Sequence, residues 1–431
     1  MTTVQPRPET HSPPSSGRLV IEGGRPLFGT VAIGGSKNAA LPIMAACLLT
    51  DEWCILSNVP DIEDIQTMAG ALRSLGAEVN FLGRHEVAIR AANLHSFRAP
   101  AELAQRMRAS FLVMGPLLTR LGRAEAPHPG GCALGVRPVN VDVRGFEHMG
   151  ATINYEGGHY IAEAARLNGT QLYLDYPSHT GTENLIMAAC LAQGTTVIKH
   201  ASMEPEVVDL ARFLARMGAR IRGAGSPFIT IEGVDSLHSA NYHVMPDRLA
   251  AGTYAVAGVI SRGSVSVSQV IPEHLDAVTH KLREAGARVQ EETDRLSAAW
   301  HQPLGSVEIQ AIAYPGFPTD LQTAFGALLT QADGVSIIHE RVFENRFLYV
   351  SELRKMGAEI EVEVQTARIK GATRLRGANI RATDIRSGAA LVLAALAAEG
   401  TTIIEDAYHL DRGYDSLVST LSELGAAIRR E

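Results

Sequence analysis

The chain has 431 residues, of which 46% are hydrophobic and 20% charged, and its formal net charge is −7 at pH 7. A chain of this size can bury a large core and is expected to divide into two domains. The negative charge argues against nucleic acid as the main partner, since phosphate backbones require a broad basic surface. No apolar run approaches the roughly 18 residues of a membrane span.

The N-terminal segment 1–17, MTTVQPRPETHSPPSSG, is rich in proline, serine and threonine and lacks the apolar stretch of a signal peptide. We expect a disordered tail there, because such a composition buries too little apolar surface to become ordered. Without a signal peptide or a membrane span, the protein is expected in the cytoplasm, with no membrane partner.

A Gly-Ala pair recurs six times along the chain, in SLGAEVNF, HMGATINY, RMGARIRG, EAGARVQE, KMGAEIEV and ELGAAIRR. Each pair follows an amphipathic helical stretch and precedes a short alternating segment. The glycine is therefore predicted to end a helix and lead into a strand. The spacings are 74, 68, 68, 71 and 68 residues, between the glycines Gly76, Gly150, Gly218, Gly286, Gly357 and Gly425.

Each repeat also contains a second helix, and several of these, such as AALPIMAACLL and SGAALVLAALAA, are apolar on most faces. A helix that is apolar all round must be buried. We therefore predict an α/β (α+β) fold of two inside-out, barrel-like domains, each with three repeated units whose helices lie inside and whose sheets lie outside. A solenoid is the alternative, but solenoid repeats usually run about 20 to 50 residues.

The first chemically distinctive motif is GGSKNAALP, 34–42. Gly34 and Gly35 allow close backbone approach, Lys37 supplies a point charge, and Asn38 supplies amide donors at the start of a buried helix. Free N–H groups and the helix dipole favour anions at such a position. The spacing is not that of a Walker A loop, so the motif indicates either an anion site or a plain helix N-terminus.

Four cysteines lie too far apart for a CxxC metal site: Cys47, Cys54, Cys132 and Cys190. Cys47 and Cys190 lie in small-residue apolar runs and are predicted to be buried, inert thiols. Cys132 instead lies among glycines in HPGGCALGVRP, 128–138, on a loop that could cover a ligand. Nearby Arg137 would lower the pKa of this thiol and make it a nucleophile or a proton donor. An exposed thiol without a role is the alternative.

Four arginines and one aspartate complete the candidate set. Arg386 precedes the apolar helix SGAALVLAAL just as Lys37 precedes AALPIMAACLL, so the two charges are predicted to face each other across a cleft between the domains. Asp320, in FPTDLQ, could accept a proton from a substrate hydroxyl or act as a helix N-cap. The remaining arginines, each of which could equally be a solvated surface group, are Arg108, Arg346 and Arg412.

These motifs, taken in order, resemble those of one enzyme family. GGSKNAALP, MRASFLVMGPLLTRLG, PGGCALGVRPVN, EPEVVD, MPDR, GTY, FPTDLQ, VFENRF, ATDIRS and YHLDRGYD look like the successive motifs of the UDP-N-acetylglucosamine enolpyruvyltransferases, or 1-carboxyvinyltransferases. The resemblance covers about 18 to 431. It implies the two-domain inside-out fold, with domain I formed by 18–36 plus 247–431, and domain II by 37–246, which carries the Cys132 loop.

The resemblance also implies an activity: transfer of the enolpyruvyl group of phosphoenolpyruvate to the 3′-hydroxyl of UDP-N-acetylglucosamine, the first committed step toward peptidoglycan. No metal or organic cofactor is implied, and the oligomeric state is left open. The implied catalytic residues are Cys132 as proton donor to the methylene carbon, Asp320 beside the attacking hydroxyl, Lys37 and Arg412. The implied phosphoenolpyruvate site comprises Lys37, Asn38, Arg137, Arg346, Arg386 and Arg412. The implied nucleotide-sugar site comprises Arg108, Arg137, Pro138, Val139, Asn140, Val141, Asp320 and Val342.

The chain departs from the family pattern on the nucleotide side. Tyr176, in DYPSHTGTEN, stands where many members have a lysine, Asn140 and Asp142 where acidic and histidine residues are common, and Ala250 where glutamate is frequent. A diphosphate could instead be bound by the hydroxyls and imidazole of Ser178, His179 and Thr180.

Three alternative functions differ from this hypothesis. One is enolpyruvyl transfer to another uridine nucleotide in specialised metabolism. The second is 5-enolpyruvylshikimate-3-phosphate synthase, which shares the fold but lacks the PGGC loop and has a different lysine-serine motif at the start. The third is a non-catalytic binding or scaffold protein, against which the complete set of thiol, lysine, arginines and aspartate argues.

Overall fold

The computed structural model describes residues 17–100, 108–128 and 139–431, with the backbone alone for 108–110. The predicted tail 1–17 therefore lies outside the described residues, except for Gly17.

All six repeat glycines take the left-handed backbone conformation, with φ between 96° and 106°. A side chain is strained at such angles, whereas glycine adopts them freely, so each glycine ends one helix and turns the chain into the next strand, as predicted.

The helices of the described residues are α1 (Lys37–Ala46), α2 (Glu63–Leu75), α3 (Met114–Leu121), α4 (Asn140–His148), α5 (His179–Ala189), α6 (Pro205–Arg216), α7 (Arg248–Ile260), α8 (Asp276–Glu284), α9 (Thr319–Leu329), α10 (Tyr349–Lys355), α11 (Ile385–Ala397), α12 (Tyr408–Asp411) and α13 (Leu417–Glu423).

Short strands surround these helices. The strands of the described residues are β1 (Leu19–Glu22), β2 (Phe28–Ala32), β3 (Cys54–Ser57), β4 (Glu78–Gly83), β5 (Glu86–Arg90), β6 (Arg123–Pro127), β7 (Thr152–Glu156), β8 (His159–Glu163), β9 (Gln171–Tyr173), β10 (Thr195–Lys199), β11 (Arg220–Arg222), β12 (Phe228–Glu232), β13 (Asn241–His243), β14 (Ser264–Ser268), β15 (Arg288–Glu291), β16 (Arg295–Ala299), β17 (Glu308–Ala311), β18 (Gly334–Glu340), β19 (Glu359–Glu363), β20 (Thr366–Gly371), β21 (Asn379–Arg381), β22 (Thr401–Glu405) and β23 (Ala427–Arg430).

Each repeat contributes one small sheet. The strand orders are β13-β3-β5-β4, β6-β8-β7, β11-β12-β10-β9, β15-β16-β14-β2, β17-β18-β20-β19 and β21-β22-β1-β23. In each four-stranded sheet, one edge strand runs parallel to its neighbour and the other pairs are antiparallel. Strands β10, β14 and β22 bury alternate residues, so in their sheets one face packs inward and the other faces solvent.

The odd-numbered helices α1 to α11 are the apolar helices of the sequence, and most of their residues are buried. In the second half of the chain, α7, α9 and α11 pack against one another, and in the first half α3 packs on α5. The helices therefore lie inside and the sheets outside, which confirms the predicted inside-out architecture.

The buried apolar side chains form two separate clusters. One, here called lobe I, contains residues from 19–33 and from 249–428, and the other, lobe II, contains residues from 39–245. The chain crosses between the lobes twice, in two segments that run side by side: Ser36 N donates to Met245 O at 2.8 Å, and Asp247 N to Gly34 O at 2.9 Å. At this crossing Gly35 lies against the carbonyl of Asn58, where a Cβ would be 1.6 Å from the oxygen.

The two ends of the described chain meet in lobe I. Strand β1 lies between β22 and β23, antiparallel to both. Arg18 and Glu431 exchange two backbone hydrogen bonds, at 2.9 and 3.0 Å, and their side chains form an ion pair at 2.7 Å. Among the described residues, no helix combines the length and apolar character that crossing a bilayer requires.

Candidate active site

Three of the predicted site residues occupy the first turns of inner helices. Lys37 begins α1 in lobe II, while Asp320 and Arg386 are the second residues of α9 and α11 in lobe I. Burial chiefly, together with the positive charges of Arg386 and Arg412, lowers the pKa of Lys37 against the opposing effect of Asp64 and Asp320. The structure thus brings the starts of these helices close enough for their charges to interact across the lobes.

Asp320 holds two arginines in lobe I. Its Oδ1 accepts a hydrogen bond from Arg346 Nη2 at 2.7 Å, and its Oδ2 accepts one from Arg386 Nε at 3.0 Å. Burial alone would raise the pKa of Asp320, but Arg386, Arg346 and Lys37 hold it well below the usual range. Asp320 is therefore ionised at neutral pH. Pro318 stands at the N-cap of α9, so Asp320 is not the helix cap that one interpretation of FPTDLQ predicts.

The loop that carries the VFENRF motif is held by Glu340, a fully buried residue at the end of β18. Its carboxylate accepts hydrogen bonds from Thr319 Oγ1 at 2.8 Å, from Val342 N at 2.7 Å and from Phe343 N at 3.1 Å. These bonds fasten the VFENRF segment to the start of α9 and so place Arg346 beside Asp320. The side chain of Val342 stays partly exposed.

Arg386 is buried with part of its hydrogen-bonding capacity unused. Asp384 caps α11 by accepting from Arg386 N at 2.9 Å, and the guanidinium carbon lies 5.5 Å from the centre of the Tyr414 ring. Its Nη1 is buried and has no hydrogen-bond partner among the described residues. A buried guanidinium group normally has all its donors satisfied, so this one is suited to an anionic ligand.

A second carboxylate, Asp64, joins the two lobes. Its Oδ2 lies 3.3 Å from Lys37 Nζ in lobe II, and its Oδ1 accepts a hydrogen bond from Arg412 Nε of lobe I at 3.0 Å. Asp64 is buried near the N-terminus of α2. A more exposed contact lies beside it, where Arg84 of lobe II pairs with Asp415 of lobe I at 2.9 Å. Asn38 is half-buried in the same first turn of α1 as Lys37.

The predicted nucleotide segment lies in lobe II. Val139 is the N-cap of α4, and Val141 is buried. Asn140 Oδ1 accepts a hydrogen bond from Tyr176 OH at 3.3 Å, so two of the positions that depart from the family pattern contact each other. A third such position, Asp142, is buried and accepts a hydrogen bond from Asn184 Nδ2 at 2.8 Å, which gives it a structural contact.

The segment predicted to bind diphosphate forms the start of α5. Ser178 is the N-cap and accepts from Gly181 N at 3.2 Å. His179 Nε2 lies 3.1 Å from Glu183 Oε1. Burial would lower the pKa of His179, but Glu183, with Glu204 and Glu206 nearby, raises it to about 10, so this imidazole is charged at neutral pH. Thr180 is half-buried beside them.

The rest of the predicted set lies outside the described residues: Cys132, Arg137 and Pro138 entirely, and Arg108 in its side chain. Cys47 and Cys190 are buried as predicted. Burial raises the pKa of Cys190 to about 12, which keeps this thiol protonated and inert. In the described ranges, no three His, Cys, Asp or Glu side chains converge as metal ligands would.

Asp64 and Glu340 are not among the site residues that the motifs predict. A signal for Asp64 is present, because it falls in the stripe of buried residues on α2 that continues with Met68, Leu72 and Leu75. A carboxylate on the apolar face of a helix must be paired, so such a position identifies a candidate contact for the cations of the site. Glu340 ends β18, and no comparable residue pattern around it indicates a contact in the site.

Comparisons with known proteins identify the fold. The model of the family described as EPSP synthase (3-phosphoshikimate 1-carboxyvinyltransferase) matches residues 21–421. The solved structure of the enolpyruvyl transferase NikO from Streptomyces tendae is similar, with a TM-score of 0.88 and 28% identity, over 96% of this chain and 99% of that one. EPSP synthase from Acinetobacter baumannii shares the fold, with a TM-score of 0.76 and 19% identity, over 96% and 100% of the two chains. The fold is therefore that of the enolpyruvyl transferases.

Relatives of known name identify the family within the enolpyruvyl transferases. The UDP-N-acetylglucosamine 1-carboxyvinyltransferase of Desulfatibacillum aliphaticivorans is 48% identical over 413 residues, which cover 96% of this chain and 99% of the relative. UDP-N-acetylglucosamine 1-carboxyvinyltransferase 2 of Carboxydothermus hydrogenoformans is 49% identical over 415 residues, with the same coverage. The chain belongs to the UDP-N-acetylglucosamine 1-carboxyvinyltransferase family.

Proposed function

We propose that the protein transfers the enolpyruvyl group of phosphoenolpyruvate to the 3′-hydroxyl of UDP-N-acetylglucosamine and releases phosphate, which is the first committed step of peptidoglycan synthesis. The observation that carries this proposal is the charge cluster in which the starts of inner helices from both lobes meet. Its described members are Lys37, Asp64, Asp320, Arg346, Arg386 and Arg412. The identity of nearly half the sequence to relatives named for this activity supports it.

The cluster suits phosphoenolpyruvate, which carries a phosphate and a carboxylate on one three-carbon skeleton. Lys37, Arg346, Arg386 and Arg412 supply four cations against the two carboxylates of Asp64 and Asp320. The excess of positive charge is therefore available for an anionic substrate. Planar guanidinium groups orient phosphate and carboxylate oxygens as well as attract them. Asn38 and Arg137 complete the proposed phosphoenolpyruvate site.

Asp320 is the proposed acceptor for the hydroxyl proton. In the addition step, the 3′-oxygen bonds to C2 of phosphoenolpyruvate, Asp320 takes the hydroxyl proton, and the thiol of Cys132 gives a proton to C3. The low pKa of Asp320 keeps it ionised, and an ionised carboxylate also stabilises the positive charge that develops at C2. In the elimination step, C3 returns a proton to the Cys132 thiolate and the bond between C2 and the phosphate oxygen breaks, which restores the double bond and forms the enol ether. The leaving phosphate takes the proton held by Asp320, so both residues regain their starting state.

The nucleotide sugar is proposed to lie along lobe II and reach Asp320 across the lobes. The proposed contacts are the 137–141 segment, the start of α5 and the exposed side chain of Val342. The start of α5 is a helix N-terminus, where a diphosphate is favoured, and the His179 imidazole that lies there is paired with Glu183. This arrangement implies that domain I comprises 18–36 plus 247–431 and domain II 37–246, a division that the two apolar clusters support. Since phosphoenolpyruvate is a cytoplasmic metabolite, the proposed location is the cytoplasm.

Phosphate release tests the proposal. The purified chain is incubated with phosphoenolpyruvate and, in separate reactions, with UDP-N-acetylglucosamine, UMP or shikimate 3-phosphate, and the product is identified by its mass. We expect phosphate and an enolpyruvyl product with UDP-N-acetylglucosamine. Release with UMP alone would overturn the assignment of the acceptor.

The role of Cys132 is tested separately with Cys132→Ser. This variant should lose alkylation by an epoxide analogue of phosphoenolpyruvate and release phosphate more slowly. Unchanged labelling of the variant would show that another group reacts.

A further inference from the structure

The two halves of the proposed site belong to different lobes, so their alignment depends on what joins the lobes. Two backbone segments cross side by side, at 33–36 and 244–247, and are linked through Ser36 and Asp247. Two extended segments alone would leave the lobes free to rotate about the crossing. Side chains packed around this crossing can fix the angle at its pivot, in addition to the Asp64–Arg412 and Arg84–Asp415 contacts described above.

Arg248 follows the second crossing directly and reaches back from lobe I into lobe II. It is the first residue of α7 and only 6% exposed. Its guanidinium group donates from Nε to Glu206 Oε1 at 3.0 Å and from Nη2 to Glu206 Oε2 at 3.2 Å, and Nη2 also bonds to Glu204. Glu206 is fully buried, in the first turn of α6. A forked, buried contact of this kind tolerates little change in orientation.

All three acidic residues of the EPEVVD motif form hydrogen bonds around the two crossing segments, a region here called the junction. Glu204 accepts a hydrogen bond from Tyr314 N of lobe I at 3.3 Å, which adds a link between the lobes beside the Arg248 contact. Asp209 accepts from Met245 N of the second crossing at 3.1 Å and from Tyr242 OH at 2.6 Å. The motifs EPEVVD and MPDR therefore form one structural unit, which the mechanism proposed above does not use.

The charges of the junction extend to the proposed nucleotide segment. Glu206 interacts with His179 at the start of α5, and the negative charges of Glu204 and Glu206 help to keep His179 protonated. The junction thus contains the carboxylates Glu183, Glu204 and Glu206 and the cations His179 and Arg248, all largely buried. His274 of lobe I is also close, and burial lowers its pKa.

We propose that Arg248 and Glu206 are positioning residues for the reaction: their buried ion pair at the lobe crossing holds Lys37 and Asp64 of lobe II opposite Asp320 and Arg386 of lobe I. The inference rests on the proposed function, because it concerns the geometry of that site. Neither residue belongs to the proposed substrate contacts. Because a displacement of about 1 Å can lower the rate about 100-fold, a change at this distance from the chemistry is expected to reduce turnover.

The test uses two variants of the full chain. Arg248→Lys keeps the charge but loses the fork, and Arg248→Met combined with Glu206→Met removes both charges, so no unpaired buried ion remains between these two positions. We expect kcat to fall about 10-fold in the first and about 100-fold in the second, with KM for phosphoenolpyruvate raised. The radius of gyration from small-angle X-ray scattering with both substrates present should increase in the double variant while its circular dichroism is unchanged.

The matched control is Arg222→Met combined with Glu232→Met, an exposed ion pair of lobe II at 3.5 Å, which should behave as wild type. A double variant with the kcat, KM and radius of gyration of this control would overturn the inference. If the wild type released no phosphate with any tested acceptor, the proposed function would fail. The scattering comparison would still decide whether the junction fixes the lobes.

Discussion

The site contains two carboxylates that each hold two cations, but they differ in where those cations originate. Asp320, Arg346 and Arg386 all belong to lobe I, where the starts of α9 and α11 and the VFENRF segment bring them together. Asp64 instead binds Lys37 from its own lobe and Arg412 from the other. The Asp320 cluster is complete within one lobe, whereas the Asp64 cluster exists only when the lobes are in contact.

This difference assigns different tasks to the two clusters. The chemistry proposed for Asp320 requires a fixed charge environment, and a cluster within one rigid lobe provides it before any substrate binds. In the proposed function, Asp64 links capture of the anionic substrate to contact between the lobes, because Arg412 is joined to Lys37 through Asp64 where the lobes meet. Changes to Asp320 should therefore affect the chemical step most, and changes to Asp64 should affect substrate binding.

The largest effect is expected at Asp320. Asp320→Asn removes the proton acceptor and leaves Arg346 and Arg386 without their counterion, so kcat/KM should fall about 1,000-fold. Steady-state phosphate release measures this change. Asp333→Asn, which changes an exposed aspartate of the same lobe, is the control and should retain wild-type kinetics. A kcat/KM for Asp320→Asn within threefold of this control would remove Asp320 from the mechanism.

An intermediate effect is expected at Asp64. Asp64→Asn weakens the contact that brings Arg412 to Lys37, so KM for phosphoenolpyruvate should rise about tenfold, with a smaller change in kcat. KM for the nucleotide sugar should stay constant. The comparison variant is Asp61→Asn, which loses only an exposed ion pair to Arg84 at 3.3 Å. Equal KM values for the two variants would show that burial between the lobes gives Asp64 no special role.

The smallest effect is expected at the His179–Glu183 pair, which lies within lobe II alone. Because folding raises the pKa of His179 from about 6.5 to about 10, its stabilisation is complete below pH 6.5 and is lost as the pH rises toward 10. His179→Asn should therefore lower the free energy of unfolding by about 1 kcal/mol at pH 6 and by less at pH 10. Urea unfolding at both pH values measures the difference. A difference independent of pH would contradict the charged state of this imidazole.

The sequence predicts the architecture well because its repeated features follow directly from backbone conformation and from burial. Gly76 and its five equivalents recur because a left-handed turn after each outer helix excludes side chains, and the inner helices are apolar all round because they are buried. The same repetition predicts that Lys37 and Arg386 start equivalent helices. Both residues do occupy such positions, and their charges interact across the lobes.

The site is predicted less completely, because ion pairing depends on contacts distant in the sequence. Asp64 and Arg412 are 348 positions apart, and no local pattern joins them. The motif predicts that Gly35 allows close backbone approach, and in the fold the group that approaches it is the carbonyl of Asn58. Motifs identify which residues are unusual, whereas the tertiary packing decides whether each one contacts a substrate or another part of the protein.

The position of strand β1 has a consequence for synthesis on the ribosome. Its neighbour β23 contains Arg430, so the sheet that holds β1 is completed only after β23 has been translated. Lobe II, made entirely from the middle of the chain, is available for folding well before that. The nascent protein can therefore fold its Lys37 half first, and β1 gains both of its neighbours only after β23 has been translated.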